Sequence, residues 1–254
     1  MSEDQTTVVG LVGLADACEL LSVLAKFPDS ELAAALADGT LAADASACMG
    51  DALAGVPERA ARAVGADASS LAEGFAAFRG LDPDKLRSQL RTGYSLVHHR
   101  QFDGVEVFPY ESAFCHRRDG REGEPTLFRS PITLDVEMRM RQAGVLPRTS
   151  RTEPCDSLWD ELSFLAYLWG KAASALWEQK PQDAASWDGR ARSFAAEHVL
   201  GWAGDYLTRS AEVTARLADC GDVQPVCAAF CDAVRSYGCG LLAVIAAIQE
   251  EPLA

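Results

Sequence analysis

The stretch "LDPDKLRSQLRTGYSLVHH", Leu81 to His99, decides the fold class because it begins in the way that α-helices begin. Asp82 is a capping residue, Pro83 takes the first helical position, and apolar side chains then recur on one face. A second stretch, "SPITLDVEMRMRQAG", repeats this order from Ser130 and ends at a glycine. The one strand-like fragment, "VEVF", is too short to found a sheet. The sequence therefore predicts an all-α protein.

Helical periodicity continues towards the C-terminus. In "SLWDELSFLAYLWGKAA", Ser157 and Asp160 form a capping-box pair ahead of an apolar stripe. "FAAEHVLGWAGDYL" repeats large side chains at four-residue intervals, and a last helix is expected from about Val226. The four-residue repeat consists of Phe194, His198, Trp202 and Tyr206.

The stretch "EVFPYESAFCHRRDGREGEP" lies between the helix that ends near His99 and the helix that begins at Ser130, and it is interpreted as a long loop. Its glycine-rich, charged end is the best hinge in the sequence. We expect a single all-helical domain over residues 1–254, either one bundle or two lobes. The N-terminal lobe would cover about 8–116, the hinge about 117–130, and the C-terminal lobe about 131–254.

The net charge narrows the range of partners. The chain of 254 residues has 37 acidic against 23 basic residues, a formal charge of −14. This composition argues against nucleic acid, because there is no basic stripe to replace the counterions of a phosphate backbone. A basic or amphipathic peptide is a better electrostatic match, although an acidic surface also simply keeps a protein soluble.

Membrane insertion is not expected. The longest apolar run, near Gly238 to Ile248, is about half of the roughly 20 residues that a spanning helix needs. The N-terminus opens with acidic residues and lacks the positive region of an export signal. The sequence therefore predicts a cytoplasmic location.

No strong catalytic or metal-binding motif is present, since the chain has no GxSxG, HExxH, GxxxxGK[ST], GxGxxG or CxxC pattern. We therefore predict no enzyme activity, no catalytic residue and no metal site. Two alternatives stay open: a metal- or cofactor-handling protein that uses cysteine and histidine, or a helical interaction scaffold. The first would use Cys115, His116 and the cysteines Cys220, Cys227, Cys231 and Cys239.

Aromatic residues flanked by acids are the most distinctive remaining feature. Rings can bury the apolar side chains of a peptide while carboxylates pair with its arginines. The alternative, equally weighted from the residues alone, is a core tyrosine and tryptophan beside ordinary acids at a helix N-terminus. The residues concerned are Phe108, Tyr110, Glu111 and Phe114 in one segment and Asp156, Trp159, Asp160 and Glu161 in another.

Four segments in order resemble the TorD/DmsD family of redox-enzyme maturation chaperones. They are "LLSVLAKFPDSELAAAL", "FPYESAF", "PCDSLWDELSFLAYL" and "FAAEHVLGWAGDYL". The resemblance implies a cytoplasmic chaperone that binds the twin-arginine signal peptide of a molybdopterin oxidoreductase precursor and assists cofactor insertion and export timing. The glycine-rich hinge would permit the exchange of lobes, so the sequence leaves a monomer and a domain-swapped dimer open. No cofactor is expected, and guanine nucleotide binding rests on the family analogy alone.

The resemblance and the aromatic–acidic pattern together give the expected client-binding residues. They are Phe108, Tyr110, Glu111, Ser112, Asp156, Ser157, Trp159, Asp160, Glu161, His198 and Trp202. One departure concerns Ser157, which stands where the family has a histidine, so the role of that histidine is not carried over. We expect Glu111→Ala or Asp156→Ala to weaken client binding while leaving the fold intact.

Overall fold

The protein is described here by a computed structural model that covers residues 3–55, 68–99, 105–146 and 152–249, with side chains from residue 5. Within these ranges the chain forms eleven α-helices and one π-helical turn, with no β-strand. The predicted all-α fold is therefore confirmed.

The helices and the turn follow one another along the chain as in a helical bundle. They are α1 (Glu3–Ala25), α2 (Ser30–Asp38), α3 (Thr40–Ala54), α4 (Ala68–Ala76), α5 (Pro83–His98), α6 (Glu111–Arg118), α7 (Pro131–Gln142), α8 (Leu158–Trp177), α9 (Pro181–Phe194), the π-helical turn (Ala195–Val199), α10 (Ala203–Asp219) and α11 (Pro225–Gln249).

The predicted caps have the expected geometry. The side chain of Asp82 accepts a hydrogen bond from the backbone N–H of Lys85 at 2.8 Å. Ser130 caps α7 in the same way, and the Ser157 hydroxyl accepts from the N–H of Asp160 at 3.2 Å. Each cap satisfies a donor that the helix itself leaves unpaired, so these polar residues fix where the helices begin.

The core is built around α1, which packs against α8 on one side and against α3 on another. The crossing of α1 and α3 is close because it is made by glycines: a Cβ on Gly10 would lie 2.3 Å from the Cα of Gly55. On the far side, α11 packs against α10 and α4. The alanine-rich N-terminal part of the chain therefore serves tight helix packing.

Two helices are long and apolar enough to cross a membrane by length and composition: Gln5–Ala25 and Pro225–Gln249. The sequence-based statement that no segment has this length was wrong, because the helices continue through residues that break the apolar run. In the fold, 61% and 56% of the two windows are buried. That burial is what core helices of a bundle require.

The segment "EVFPYESAFCHRR" is not a loop throughout, as the sequence analysis expected, because Glu111–Arg118 forms α6. This helix is short, and its Glu111 and Phe114 side chains are buried against other helices. Tertiary packing therefore stabilises a helix that its local sequence favours only weakly. The expectation of two lobes stays a prediction.

Candidate functional site

The two segments with aromatic and acidic residues lie against each other in the structure. Tyr110 and Ser157 form an isolated antiparallel bridge, and the N–H of Glu111 donates to the carbonyl of Asp156 at 2.8 Å. The Asp156 carboxylate then accepts from the N–H of Ser112 at 2.9 Å. Asp156 therefore joins the N-terminus of α6 to the segment that leads into α8, and it is completely buried.

Beneath this junction lies a cluster of two glutamates and a histidine, named here the Glu111–Glu161–His198 cluster. One ligand atom from each residue lies within 4.8 Å of the others. His198 hydrogen-bonds through Nδ1 to Glu111 at 2.9 Å and through Nε2 to Asp135 at 2.8 Å. Trp202 Nε1 donates to one oxygen of Glu161 at 3.0 Å.

The electrostatics of the cluster follow from its burial. Burial raises the pKa of Glu161 far above its usual range, and the neighbouring Glu111 carboxyl raises it further. Burial also raises the pKa of Glu111, although its hydrogen bond to His198 opposes this. Two adjacent carboxyls cannot both ionise cheaply in a buried site, so Glu161 holds a proton that it shares with Glu111.

His198 carries the compensating positive charge. Burial alone lowers its pKa, but the hydrogen bonds to Glu111 and Asp135 and the charge of Glu111 outweigh this, so that the pKa is raised. An imidazole whose two nitrogens both face carboxylates donates from both, which requires the protonated ring. Arg139 holds Asp135 in place through a hydrogen bond of 2.8 Å from its Nε.

His198 reaches the cluster because the chain makes a π-helical turn over Ala195–Val199. The four-residue repeat predicted one continuous helix, but the structure divides this segment. The π-helical turn follows α9 directly, and α10 begins only at Ala203. Single π-helical turns are frequent at functional sites, because the extra residue redirects side chains. All four residues of the repeat are nevertheless buried.

Outside the cluster, Asp160 has a different environment. It is partly exposed, and within the described chain its Oδ2 has no hydrogen-bond donor. Burial, opposed by the Ser157 hydroxyl and helped by the nearby charge of Glu153, raises the pKa of Asp160 to about 6. Lys26 lowers it only in part. Glu153 accepts from the Tyr110 hydroxyl at 2.9 Å, which places two carboxylates beside one aromatic ring.

Asp160 lines one of two cavities that have Phe164 in common, and the two together are named here the Phe164 groove. The smaller cavity, about 200 Å³, includes Asp160, Leu146 and Tyr167. The larger, about 470 Å³, lies between α7, α8 and α9 and is lined by apolar side chains such as Met138 and by Arg139 and Arg190. Met138 is 47% exposed and Leu146 is 37% exposed, so the groove opens onto apolar surface.

Phe108 lies away from the Phe164 groove. It lines a third cavity of about 490 Å³ with Phe114 and several charged side chains from α6 and α10. The guanidinium of Arg117 stands 5.9 Å from the Phe108 ring centroid. Phe114 lies between this cavity and the core, with its ring 5.8 Å from that of Trp202.

The structure separates the eleven predicted binding residues into two groups. Three are partly exposed and able to touch a ligand: Phe108, Tyr110 and Asp160. Eight are buried: Glu111, Ser112, Asp156, Ser157, Trp159, Glu161, His198 and Trp202. Trp159 packs its ring 5.9 Å from that of Tyr110, so the buried group supports the exposed one.

Three residues of the site were missed by the sequence analysis. Asp135 and Arg139 lie four residues apart on α7, a spacing that would have indicated an ion pair. Their connection to His198 and to Glu197 depends on how α7 packs, and the sequence carries no signal for it. Glu153 lies in a loop and was not considered.

The alternative hypothesis of a metal site built from cysteines finds no support among the described residues. Among the described residues the only group of three or more potential metal ligands is the Glu111–Glu161–His198 cluster, which contains no cysteine. Cys227 donates its thiol to the carbonyl of Gln89 at 3.2 Å, and Cys231 accepts from Thr214 at 3.4 Å. These thiols therefore pack as small side chains between helices.

Comparison with known families identifies the class of protein. The family model described as "Nitrate reductase delta subunit" matches residues 58–208, which is more than half of the chain. The chain belongs to this family. The family consists of cytoplasmic, non-catalytic maturation chaperones for molybdoenzymes, so the resemblance to the TorD/DmsD chaperones is confirmed. Neither a curated protein nor a solved structure matches the chain.

Proposed function

We propose that this chaperone binds the twin-arginine leader of a molybdopterin oxidoreductase precursor and holds back its export until the cofactor is inserted. A leader of this type has arginines followed by an apolar stretch. Its receptor therefore needs carboxylates next to an apolar surface. The Phe164 groove and Asp160 supply this combination, and the formal charge of −14 favours the approach of a basic peptide.

The observation that carries the proposal is the Asp160 carboxyl, which lines the groove without a donor for its Oδ2 within the described chain. Buried polar atoms are usually satisfied, and a carboxylate is a strong partner for a planar guanidinium. This oxygen is buried, so a leader arginine would supply the missing donor once the Asp160 side chain turns towards the groove. Glu153, linked to the site by Tyr110, offers a carboxylate for the second arginine.

The apolar part of the leader fits the remainder of the groove. Phe164 lines both cavities, and Met138 and Leu146 extend the apolar surface on the α7 side. An amphipathic or extended peptide that lies along this surface would cover side chains that are otherwise in contact with water. The buried cluster takes no direct part in this contact, since its role is to hold α6, α7 and α8 in register.

The experiment starts from the native client. The tagged protein is purified from its host under anaerobic conditions, and the co-purifying proteins are identified by mass spectrometry. We expect a molybdopterin-enzyme subunit that still carries its Arg-Arg leader. Recovery of the subunit only without its leader would contradict leader binding while leaving the maturation role in place.

A peptide titration then locates the contact. The leader of the recovered client and a matched peptide with both arginines replaced by lysine are titrated into the protein by calorimetry. Because lysine cannot pair bidentately with a carboxylate, we expect weaker binding of the lysine peptide. Equal affinities for the two peptides would show that Asp160 and Glu153 do not read the arginines.

A further inference from the structure

We propose that the Glu111–Glu161–His198 cluster is a binding site for one divalent transition-metal ion. This departs from the sequence-based expectation of no metal site, because the three residues are far apart in sequence and only the fold brings them together. The inference is independent of leader binding, since Asp160 is not part of the cluster.

The donor set has the chemistry of such a site. Two carboxylate oxygens and one imidazole nitrogen are ligands typical of Zn²⁺ and related first-row ions. In the tetrahedral geometry of Zn²⁺, ligand atoms about 2.1 Å from the ion lie about 3.4 Å apart. The three atoms here lie within 4.8 Å of one another, so side-chain movements of about 1 Å bring them into range.

The Glu161 oxygen that faces Glu111 is a second indication of a ligand. Glu161 is completely buried, and in the part of the chain that the structure describes its Oε1 has no partner apart from the proton shared with Glu111. Its other oxygen is held by the Trp202 indole at 3.0 Å. A buried carboxylate with one oxygen fixed and the other held only by an exchangeable proton is arranged as a metal ligand with one supporting hydrogen bond.

The histidine has the support that metal-bound imidazoles have. His198 Nε2 faces Asp135 at 2.8 Å, and Asp135 is in turn fixed by Arg139. A carboxylate on the far nitrogen sets the ring orientation and leaves Nδ1 for the metal. On binding, the ion takes the place of the Nδ1 proton of His198 and of the proton that the two glutamates share, and both protons are released to solvent.

Charge and access are also consistent with an ion. Once both protons have left, the two buried carboxylates carry two negative charges, which one divalent cation neutralises. Asp135, at the outer end of the cluster, has a side chain that is 34% exposed, so that end is open to solvent.

The test measures metal binding directly. The whole protein is treated with a chelator, titrated with Zn²⁺ and analysed for bound metal by mass spectrometry. We expect one equivalent, with affinity about 100-fold weaker in Glu161→Gln. The glutamine oxygen can still accept from Trp202, so this variant should fold. Glu137→Gln is the matched control, because Glu137 lies on α7 and pairs with Arg141 outside the cluster.

Co²⁺ distinguishes this site from the cysteines. Thiolate ligation gives intense sulfur-to-cobalt absorption, whereas carboxylate and imidazole ligation does not, and we expect a spectrum without the sulfur band. The absence of stoichiometric binding, unchanged binding in Glu161→Gln, or a thiolate spectrum would each overturn the proposal. If Glu161→Gln does not fold by circular dichroism, Glu111→Gln provides the same comparison.

Discussion

Asp160 and Glu161 are neighbours in the first turn of α8, yet they lie in opposite environments. Asp160 faces the Phe164 groove, whereas Glu161 is completely buried against Trp202 and Glu111. Successive residues on a helix point about 100° apart, so adjacent carboxylates can serve two different purposes. One acidic motif therefore places one carboxyl at a cavity and the next in the core.

Burial raises the pKa of both the Asp160 and the Glu161 carboxyl, but the consequences differ. Glu161 responds by sharing a proton with Glu111, within a network that Trp202 and His198 complete. Asp160 has no such network among the described residues, and its carboxyl lines the Phe164 groove. The following predictions separate the two roles, from the largest expected effect to the smallest.

The largest effect is expected on stability, at the buried Trp202. Trp202→Ala should lower the free energy of unfolding by about 3–5 kcal/mol, because it opens a cavity and removes the donor to Glu161. Urea denaturation measures the loss. The matched control is Trp177→Ala, which should change stability by less than about 0.5 kcal/mol because Trp177 is 76% exposed. Equal midpoints for the two variants would refute the structural role of Trp202.

Asp156→Ala should cost about 1–3 kcal/mol of stability, because the buried N–H of Ser112 loses its acceptor. The sequence alone predicted an intact fold with weaker client binding, and the complete burial of Asp156 changes that expectation. Thermal denaturation of the variant is compared with that of Asp84→Ala, a change at an exposed helix start. A normal melting temperature with lost client binding would restore the sequence-based expectation.

For Asp160, at the surface, leader affinity and folding stability are expected to change in opposite directions. Asp160→Asn should weaken leader binding about tenfold, as expected for the loss of one hydrogen bond to a charged group. It should also raise stability by about 1 kcal/mol at pH 7, after allowance for solvent screening. The ionised carboxyl opposes folding above its pKa of about 6, and this penalty is absent below the unfolded value. Calorimetry and urea denaturation measure the two quantities, and an unchanged leader affinity would exclude Asp160 as a contact.

The smallest effect is a pH dependence. Lowering the pH from 7 to 5 protonates Asp160, whose pKa is about 6, and should weaken leader binding about fivefold. Arginine stays charged over this range, so the peptide does not contribute. In Asp160→Asn the dependence should disappear. If the variant keeps the full pH dependence, another group is responsible.

Much of the fold could be predicted from the sequence because its signals are local. Asp82, Ser130 and Ser157 cap helices where the sequence indicates, since a cap depends on residues within one turn. The helix at Glu111–Arg118 and the π-helical turn before Trp202 could not be predicted in this way. Both depend on contacts with segments that are distant along the chain.

The candidate site was predicted in composition but not in arrangement. The acids and aromatics of the two motif segments are indeed joined, through Tyr110 and Ser157. Which of them are exposed depends on the direction of each side chain in the packed structure. Asp135 and Arg139 entered the site only because α7 places them beside His198.

By itself, the sequence determined the all-α class, the start of each capped helix and the family to which the chain belongs. These properties depend on residue type and local spacing, which a linear chain carries in full. Only the tertiary structure decided that Glu111, Glu161 and His198 meet in the core while Asp160 faces the groove. That decision depends on free energies of burial and pairing between distant segments, and such energies exist only once the helices are packed.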